Sequence, residues 1–195
     1  MMANWDKIKI LQQQISTGQE EKAYSDLFSV CFPYLARFAF SFVHSREKSE
    51  EIASDVLIAV WHKRHQLNRI ADLKLYLYKS TKNTSLNYLK KQQRTPEYAF
   101  REDRELWMKA TDATPEQILI SAELQQKIQN AIQQLPDKCR QIYKLIKEDG
   151  LKYKEVAVLL QLSVKTVEAQ MAIAMKRLYE ALRSVVQEPT SSINP

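Results

Sequence analysis

The sequence predicts an all-α protein of two small helical domains joined by a linker, and three observations carry that prediction. Only two glycines and six prolines occur in 195 residues, of which 45% are apolar. That is too few turn formers for a protein of many short strands, and enough apolar mass for packed cores. Apolar residues recur at spacings of three and four over most of the chain, as they do on helices with one buried face. The periodicity fails between Thr95 and Ala113, a stretch opened by Pro96, closed by Thr114-Pro115 and holding Glu97, Glu102, Asp103, Glu105 and Asp112. The expected boundaries are therefore 1–94 for the first domain, 95–114 for the linker, 115–188 for the second domain and 189–195 for a disordered tail.

The elements follow in order. Trp5 to Ile15 forms an amphipathic helix with Trp5, Ile8, Leu11 and Ile15 aligned, ended by Gly18. Glu20 to Val43 is longer and strongly apolar, with Tyr24, Leu27, Phe28, Cys31, Leu35, Phe38, Ala39 and Phe42 on one face and a kink or break expected at Pro33. After the His44-Ser45-Arg46 connection, Ser49 to about Leu67 is the next helix, buried through Ile52, Val56, Ala59 and Val60. Its other side carries Glu50, Glu51, Ser54, Asp55 and Ile58. By itself that acidic face reads as a solvated helix start, where carboxylates suit the macrodipole. Asn68 to Asp72 is a polar loop, and Asp72 caps the helix from Leu73 to about Gln93.

Charge is concentrated around this last helix. From Trp61 to Arg94 nine cations stand against Asp72 alone, a local +8 that exceeds the +6 of the whole chain. Trp61, Tyr76, Tyr78 and Tyr88 are interleaved with the cations. Cations for phosphates and aromatic faces for unpaired bases make a single-strand binding surface; the same composition also fits core aromatics with solubilising lysines.

In the second half, Thr114 caps a helix from Pro115 to Leu135, with Ile118, Leu124, Ile128, Ala131 and Leu135 inside. Pro136 starts another, turning Cys139, Ile142, Tyr143 and Ile146 inward and ending at Asp149-Gly150 on a left-handed glycine. A short helix, Lys154 to Leu160, then meets Gln161-Leu162-Ser163 and a longer helix capped by Ser163. The longer helix buries Val164, Val167, Met171, Ala174, Leu178 and Leu182 and exposes Lys165, Glu168, Ala169, Ala172 and Lys176. Short helix, tight turn and longer helix make a helix-turn-helix, whose small and charged outer residues can approach base edges. An ordinary helical hairpin with a solvated face has the same pattern.

Cys31 and Cys139 match no metal-ligand spacing and read as free thiols of a reducing compartment. No run is expected to span a membrane, and no signal-peptide core is present, which points to the cytoplasm. His62 and His65 stand three apart without the Glu-x-x-His pairs of a di-iron bundle, and no nucleophile stands with a base. No enzyme activity, metal or cofactor is expected.

Two sets of motifs resemble one family. KSEEIASDVLIAVWHKR (Lys48 to Arg64) is similar to region 2.2 of extracytoplasmic-function sigma factors of bacterial RNA polymerase, and LYLYKSTKNTSLNYLKK (Leu75 to Lys91) to regions 2.3 and 2.4. LPDKCRQIYKL (Leu135 to Leu145) and YKEVAVLLQLSVKTVEAQMAIAMKRL (Tyr153 to Leu178) resemble region 4, and the KTVE form resembles the branch common in Bacteroidota. The resemblance covers nearly the whole chain. Gln161 stands where the family turn often has Gly, Ser54 where Gln is common and Asn87 where Asp is common.

The resemblance implies a protein that binds core RNA polymerase, directs it to promoter DNA and helps melt the duplex. It turns the acidic face of Glu50, Glu51, Ser54, Asp55 and Ile58 into a docking surface for the clamp of the largest polymerase subunit. It assigns the −10 element to Lys63, Arg64, Asn68, Lys79, Lys82 and Asn83, with Asn68 to Asp72 as the base-capturing loop. It assigns the −35 element to Lys165, Thr166, Glu168, Ala169, Gln170, Ala172 and Lys176. The flap of the second polymerase subunit and a membrane-bound anti-sigma factor are the other implied partners. The alternative is a conventional helix-turn-helix regulator that does not join polymerase; the basic aromatic segment argues against it, because duplex binding does not need that surface.

Overall fold

Helix α2 (Glu20–Val43) is the element on which the first half of the chain is assembled. A computed structural model describes residues 6–17, 20–93 and 126–186. The expected linker, the Thr114 cap, Ile118, Leu124 and the tail fall outside them, as do Trp5, Gly18, Arg94 and the side chain of Leu182. The chain divides into two compact units, residues 1–107 and 108–195.

In the first unit, α1 (Asp6–Ser16), α3 (Arg46–His62) and α4 (Leu73–Gln93) all pack on α2. A helix with neighbours on several sides must be apolar over more than one stripe. Ala23, Leu27, Cys31, Leu35, Ala36, Phe38, Ala39 and Val43 are accordingly buried. Phe38 sets its ring edge-on to both Phe42 and Tyr78, each at 5.1 Å between centroids. Full burial of a side chain such as Leu27 contributes about 1.5–3 kcal/mol. The same demand corrects one expectation: Glu21–Val43 is long and apolar enough, by length and composition, to cross a membrane. Here its apolar surface is met by α1, α3 and α4. Burial pushes the Cys31 thiol up to about 12, so it stays protonated and inert. The expected break at Pro33 is absent, and α2 runs through it. Pro33 lies on the exposed side, where water can serve the Ser29 carbonyl that a proline nitrogen cannot.

Helix α3 starts three residues earlier than the sequence suggests. His44 takes a left-handed turn (φ 52°) and Ser45 is the N-cap, its hydroxyl accepting from the Lys48 N–H at 3.4 Å. Ser49 is fully buried and donates to the Ser45 carbonyl at 2.5 Å. The helix also ends earlier, at His62. Arg64–Arg69 form a 3-10 helix that absorbs Asn68, so the expected loop is shorter. Ala59 is exposed, while Ser49, Ala53 and Leu57 join Ile52, Val56 and Val60 inside. Asp72 does cap α4, its carboxylate accepting from the Leu75 N–H at 2.8 Å. The inner face of α4 is Leu73, Leu77, Tyr78, Thr81 and Ser85, the two hydroxyls bonding back to the carbonyls of Leu77 and Thr81.

In the second unit, α5 (residues 126–133) and α6 (Asp137–Tyr143) pass into a π turn, Lys144–Glu148, followed by α7 (Tyr153–Leu160) and α8 (Val164–Val186). Leu135 lies beyond the end of α5 but stays buried with Ala131, Ile132, Cys139, Ala174 and Leu178. The wide turn places Leu145 in the core; Ile146 and Tyr143 are half-buried. Burial, then the charge of Glu148, raises the Tyr143 pKa. Gly150 takes φ 64°, as expected of a left-handed end. Leu159, not Leu160, is the fully buried end of α7.

Gln161 is also left-handed, at φ 59° and ψ 44°. A side chain there costs roughly 1 kcal/mol relative to glycine. Gln161→Gly is therefore expected to raise stability by at most about 0.5 kcal/mol, after the entropy that glycine adds to the unfolded chain. A thermal melt of the variant that moves downward would show that the turn stores no strain to offset that entropy.

Candidate nucleic-acid interface

The turn between α7 and α8 is built by local hydrogen bonds. The Leu162 N–H reaches back to the Ala157 carbonyl at 2.9 Å and closes α7. Ser163 Oγ accepts from the Thr166 N–H at 3.0 Å and lies 2.8 Å from Thr166 Oγ1. Thr166 thus supplies a hydroxyl where a capping box has a carboxylate or amide. At the other end of α7, the Glu155 carboxylate accepts from the Lys152 N–H at 2.8 Å.

Helix α8 packs on α6 and α7 through Val167, Met171, Ala174 and Leu178. Val164 is half-buried. The packing leaves Lys165, Thr166, Glu168, Ala169, Ala172 and Lys176 exposed on a single continuous helix. Gln170 differs from the rest of the expected −35 set. It is half-buried, and its amide oxygen accepts from the Cys139 thiol at 2.9 Å, so its side chain is held toward α6. Sequence reading missed Met175 and Tyr179, which are 45% and 69% exposed. With Glu168 and Ala172 they form a row at spacings of four, three and four along α8.

In the first unit the outer side of α3 presents Glu51, Asp55 and Ile58 as exposed and Glu50 and Ser54 as half-buried. Glu50 pairs with Arg46 at 3.1 Å, and Glu51 pairs with Lys48. Such exposed pairs contribute about 0–1 kcal/mol each and exchange readily for a partner's charges. The Lys48 ammonium also lies 4.8 Å from the ring centre of Tyr88 on α4.

On α4, spacings of three and four place Lys79, Lys82 and Asn83 on one face, with Lys79 and Asn83 exposed and Lys82 half-buried. Lys63 is exposed at the end of α3, and Asn68 is exposed near the end of the 3-10 helix. Arg64 is half-buried, with its guanidinium 4.6 Å from the Trp61 ring centre. The aromatics divide. Tyr78 is fully buried and offers no stacking surface, and Tyr88 packs against the Ala39, Val43 and Ile52 cluster. Trp61 is tilted against Tyr24 at 4.8 Å, and Tyr76 is half-buried. Among the described residues, no three His, Cys, Asp or Glu side chains gather in a way that could hold a metal ion.

Residues 27–95 match the model of sigma-70 region 2, and residues 125–178 that of sigma-70 region 4. The chain is 25% identical over 154 residues to the RNA polymerase sigma-H factor of Pseudomonas aeruginosa, spanning 75% of this chain and 79% of that protein. It is 23% identical over 186 residues to the ECF RNA polymerase sigma factor SigW of Bacillus subtilis, spanning 91% and 98%. Its fold is similar to that of CnrH in complex with the cytosolic domain of CnrY, with a TM-score of 0.51 and 21% identity over 90% of this chain and 96% of that one. It is also similar to the sigma factor RpoE of Bartonella quintana in complex with the anti-sigma factor NepR, with a TM-score of 0.52 and 22% identity over 83% and 98%. The two matched regions define a two-module helical protein of transcription initiation. The chain belongs to the sigma-70 family and is an RNA polymerase sigma factor of the extracytoplasmic-function type.

Proposed function

We propose that this sigma factor docks on the polymerase clamp through Glu50, Glu51, Ser54, Asp55 and Ile58 of α3 and divides promoter reading between its two units. Lys79, Lys82 and Asn83 of α4, with Lys63, Arg64 and Asn68, hold the melted −10 strand. Lys165, Thr166, Glu168, Ala169, Ala172 and Lys176 of α8 enter the −35 major groove, and Gln170 supports that helix from behind. The domains run 1–94 and 115–188. The acidic stretch 95–114 threads near the active-site cleft and RNA exit path, and the second unit meets the flap of the second polymerase subunit. The observation that carries the reading is the pairing, in one chain, of a capped helix-turn-helix with a separate cation-rich helix that duplex binding alone does not require.

In this reading the protein acts in the cytoplasm, carries out no catalysis itself and is held inactive by an anti-sigma factor, with a membrane-bound one as the candidate. CnrH and RpoE were each solved with a regulatory partner, which supports that reading. The Lys165-Thr166-Val167-Glu168 form supports assignment to the branch common in Bacteroidota.

Run-off transcription with core polymerase on a genomic fragment library tests the reading. The free chain is expected to bind promoter duplex weakly, because two reading surfaces in separate units rarely engage one duplex together unless a partner holds them. Core polymerase is expected to convert this to tight, specific binding. Tight sequence-specific binding by the free chain in ~0.15 M salt, where surface charges are screened beyond ~8 Å, would overturn it.

A further inference from the structure

Gln12 is a polar side chain buried to 8% exposure in a helix that precedes the region 2 match. Its Nε2 donates to the Leu67 carbonyl at 2.6 Å and to the Ile70 carbonyl at 2.8 Å. A primary amide nitrogen has two hydrogens, and both are used here. The two carbonyls bracket Asn68 and Arg69, and Leu67 also accepts from the Ile70 N–H at 3.0 Å. A carbonyl has two lone pairs, so this oxygen is satisfied from both sides. Leu67 and Leu73, at the two ends of the segment, are buried, whereas Asn68, Arg69, Ala71 and Asp72 are exposed. The backbone is thus fixed from within while its side chains face outward. Helix α1 packs on this 3-10 segment as well as on α2.

From this geometry we infer that Gln12 is the positioning residue of the Asn68–Asp72 segment: it holds the base-capturing loop in its competent shape, which makes α1 part of the −10 recognition machinery. The inference rests on the assignment of that segment to base capture. A captured base must leave the stack, which costs a few kcal/mol, so a loop that must also be ordered at that moment captures poorly. Apparent affinity for the captured base scales with the fraction of molecules whose loop is already competent.

The test uses full-length Gln12→Leu and Gln12→Met, which keep the bulk and remove both donors, with core polymerase. Transcription is measured on promoters randomised across the −10 or the −35 element, and on templates pre-melted over the −10 element. Both variants are expected to lose about tenfold in −10 discrimination, the loss expected if about one loop in ten stays competent. The loss should persist on pre-melted templates, while −35 selection and core affinity stay unchanged. Equal losses at −10, −35 and core binding would reduce Gln12 to a fold residue and overturn the inference, as would unchanged −10 discrimination. Asn68→Ala separates the two levels. If it too leaves −10 selection unchanged, the base-capture assignment falls and this inference with it. If it relaxes selection while both Gln12 variants do not, only the inference falls.

Discussion

Reversing Glu51 and Asp55 to Lys together is expected to lower affinity for core polymerase by about a hundredfold or more while the protein stays folded. Both side chains are exposed, and neither belongs to the buried stripe of Ser49, Ile52, Ala53, Val56, Leu57 and Val60. The reversal removes the pair of Glu51 with Lys48, which on an exposed helix is worth at most about 1 kcal/mol. Against a basic docking partner the same change replaces attraction with like-charge contact, which costs several kcal/mol, and each 1.4 kcal/mol or so is tenfold in affinity. The effect on assembly therefore exceeds the effect on folding by a wide margin. Titration of core polymerase with the variant, beside a thermal melt, reads both. Unchanged affinity would remove the docking assignment from α3. A defect that vanishes as ionic strength is lowered would also count against it, because weaker screening should deepen like-charge repulsion.

What the sequence made legible was the local physics. The Ser163 cap, the left-handed Gly150, the Asp72 cap and the α8 stripe each depend on residues within a few positions of one another. Their geometry follows from capping rules and a 3.6-residue period. Where two local solutions compete, sequence cannot choose. Ser45 and Ser49 are equally good caps by composition, and burial of Ser49 beneath the bundle decides for Ser45. Thr81 and Ser85 hid the inner face of α4 because hydropathy counts hydroxyls as polar. In the helix they bond their own i−4 carbonyls and pack like small apolar groups.

The least legible features were buried polar contacts between distant residues. Gln12 meets carbonyls 55 and 58 positions away, and Gln170 meets a thiol 31 positions away. Nothing in either neighbourhood marks the glutamine as turned inward, and Gln170 lies beside the outward face in sequence. The aromatics of α4 show the same limit. Tyr76, Tyr78 and Tyr88 are alike by composition, yet Tyr78 is fully buried, edge-on to Phe38, while the other two are half-buried.

Glu168→Ala is expected to relax preference at one −35 position, with a loss of about 1–3 kcal/mol at the preferred base. Glu168 is exposed on the second turn of α8, between exposed Lys165 and the small residues Ala169 and Ala172 that let the helix lie close to base edges. A carboxylate in a groove lined by phosphates is repelled unless it accepts a specific hydrogen bond, and the exposed amino group of cytosine offers one. The competing role is an intrahelical pair with Lys165, worth only ~0.2–0.5 kcal/mol, which would leave base preference untouched. Lys165→Ala serves as the contrast. A lysine on a phosphate carries no sequence information, so its loss should weaken all promoters alike and flatten the salt dependence. In vitro transcription on promoters randomised across the −35 element separates the two signatures. A Glu168→Ala protein that selects the same −35 sequences with the same stringency would show that Glu168 reads no base, and that specificity must come from Thr166, Ala172 or the row that continues to Met175 and Tyr179.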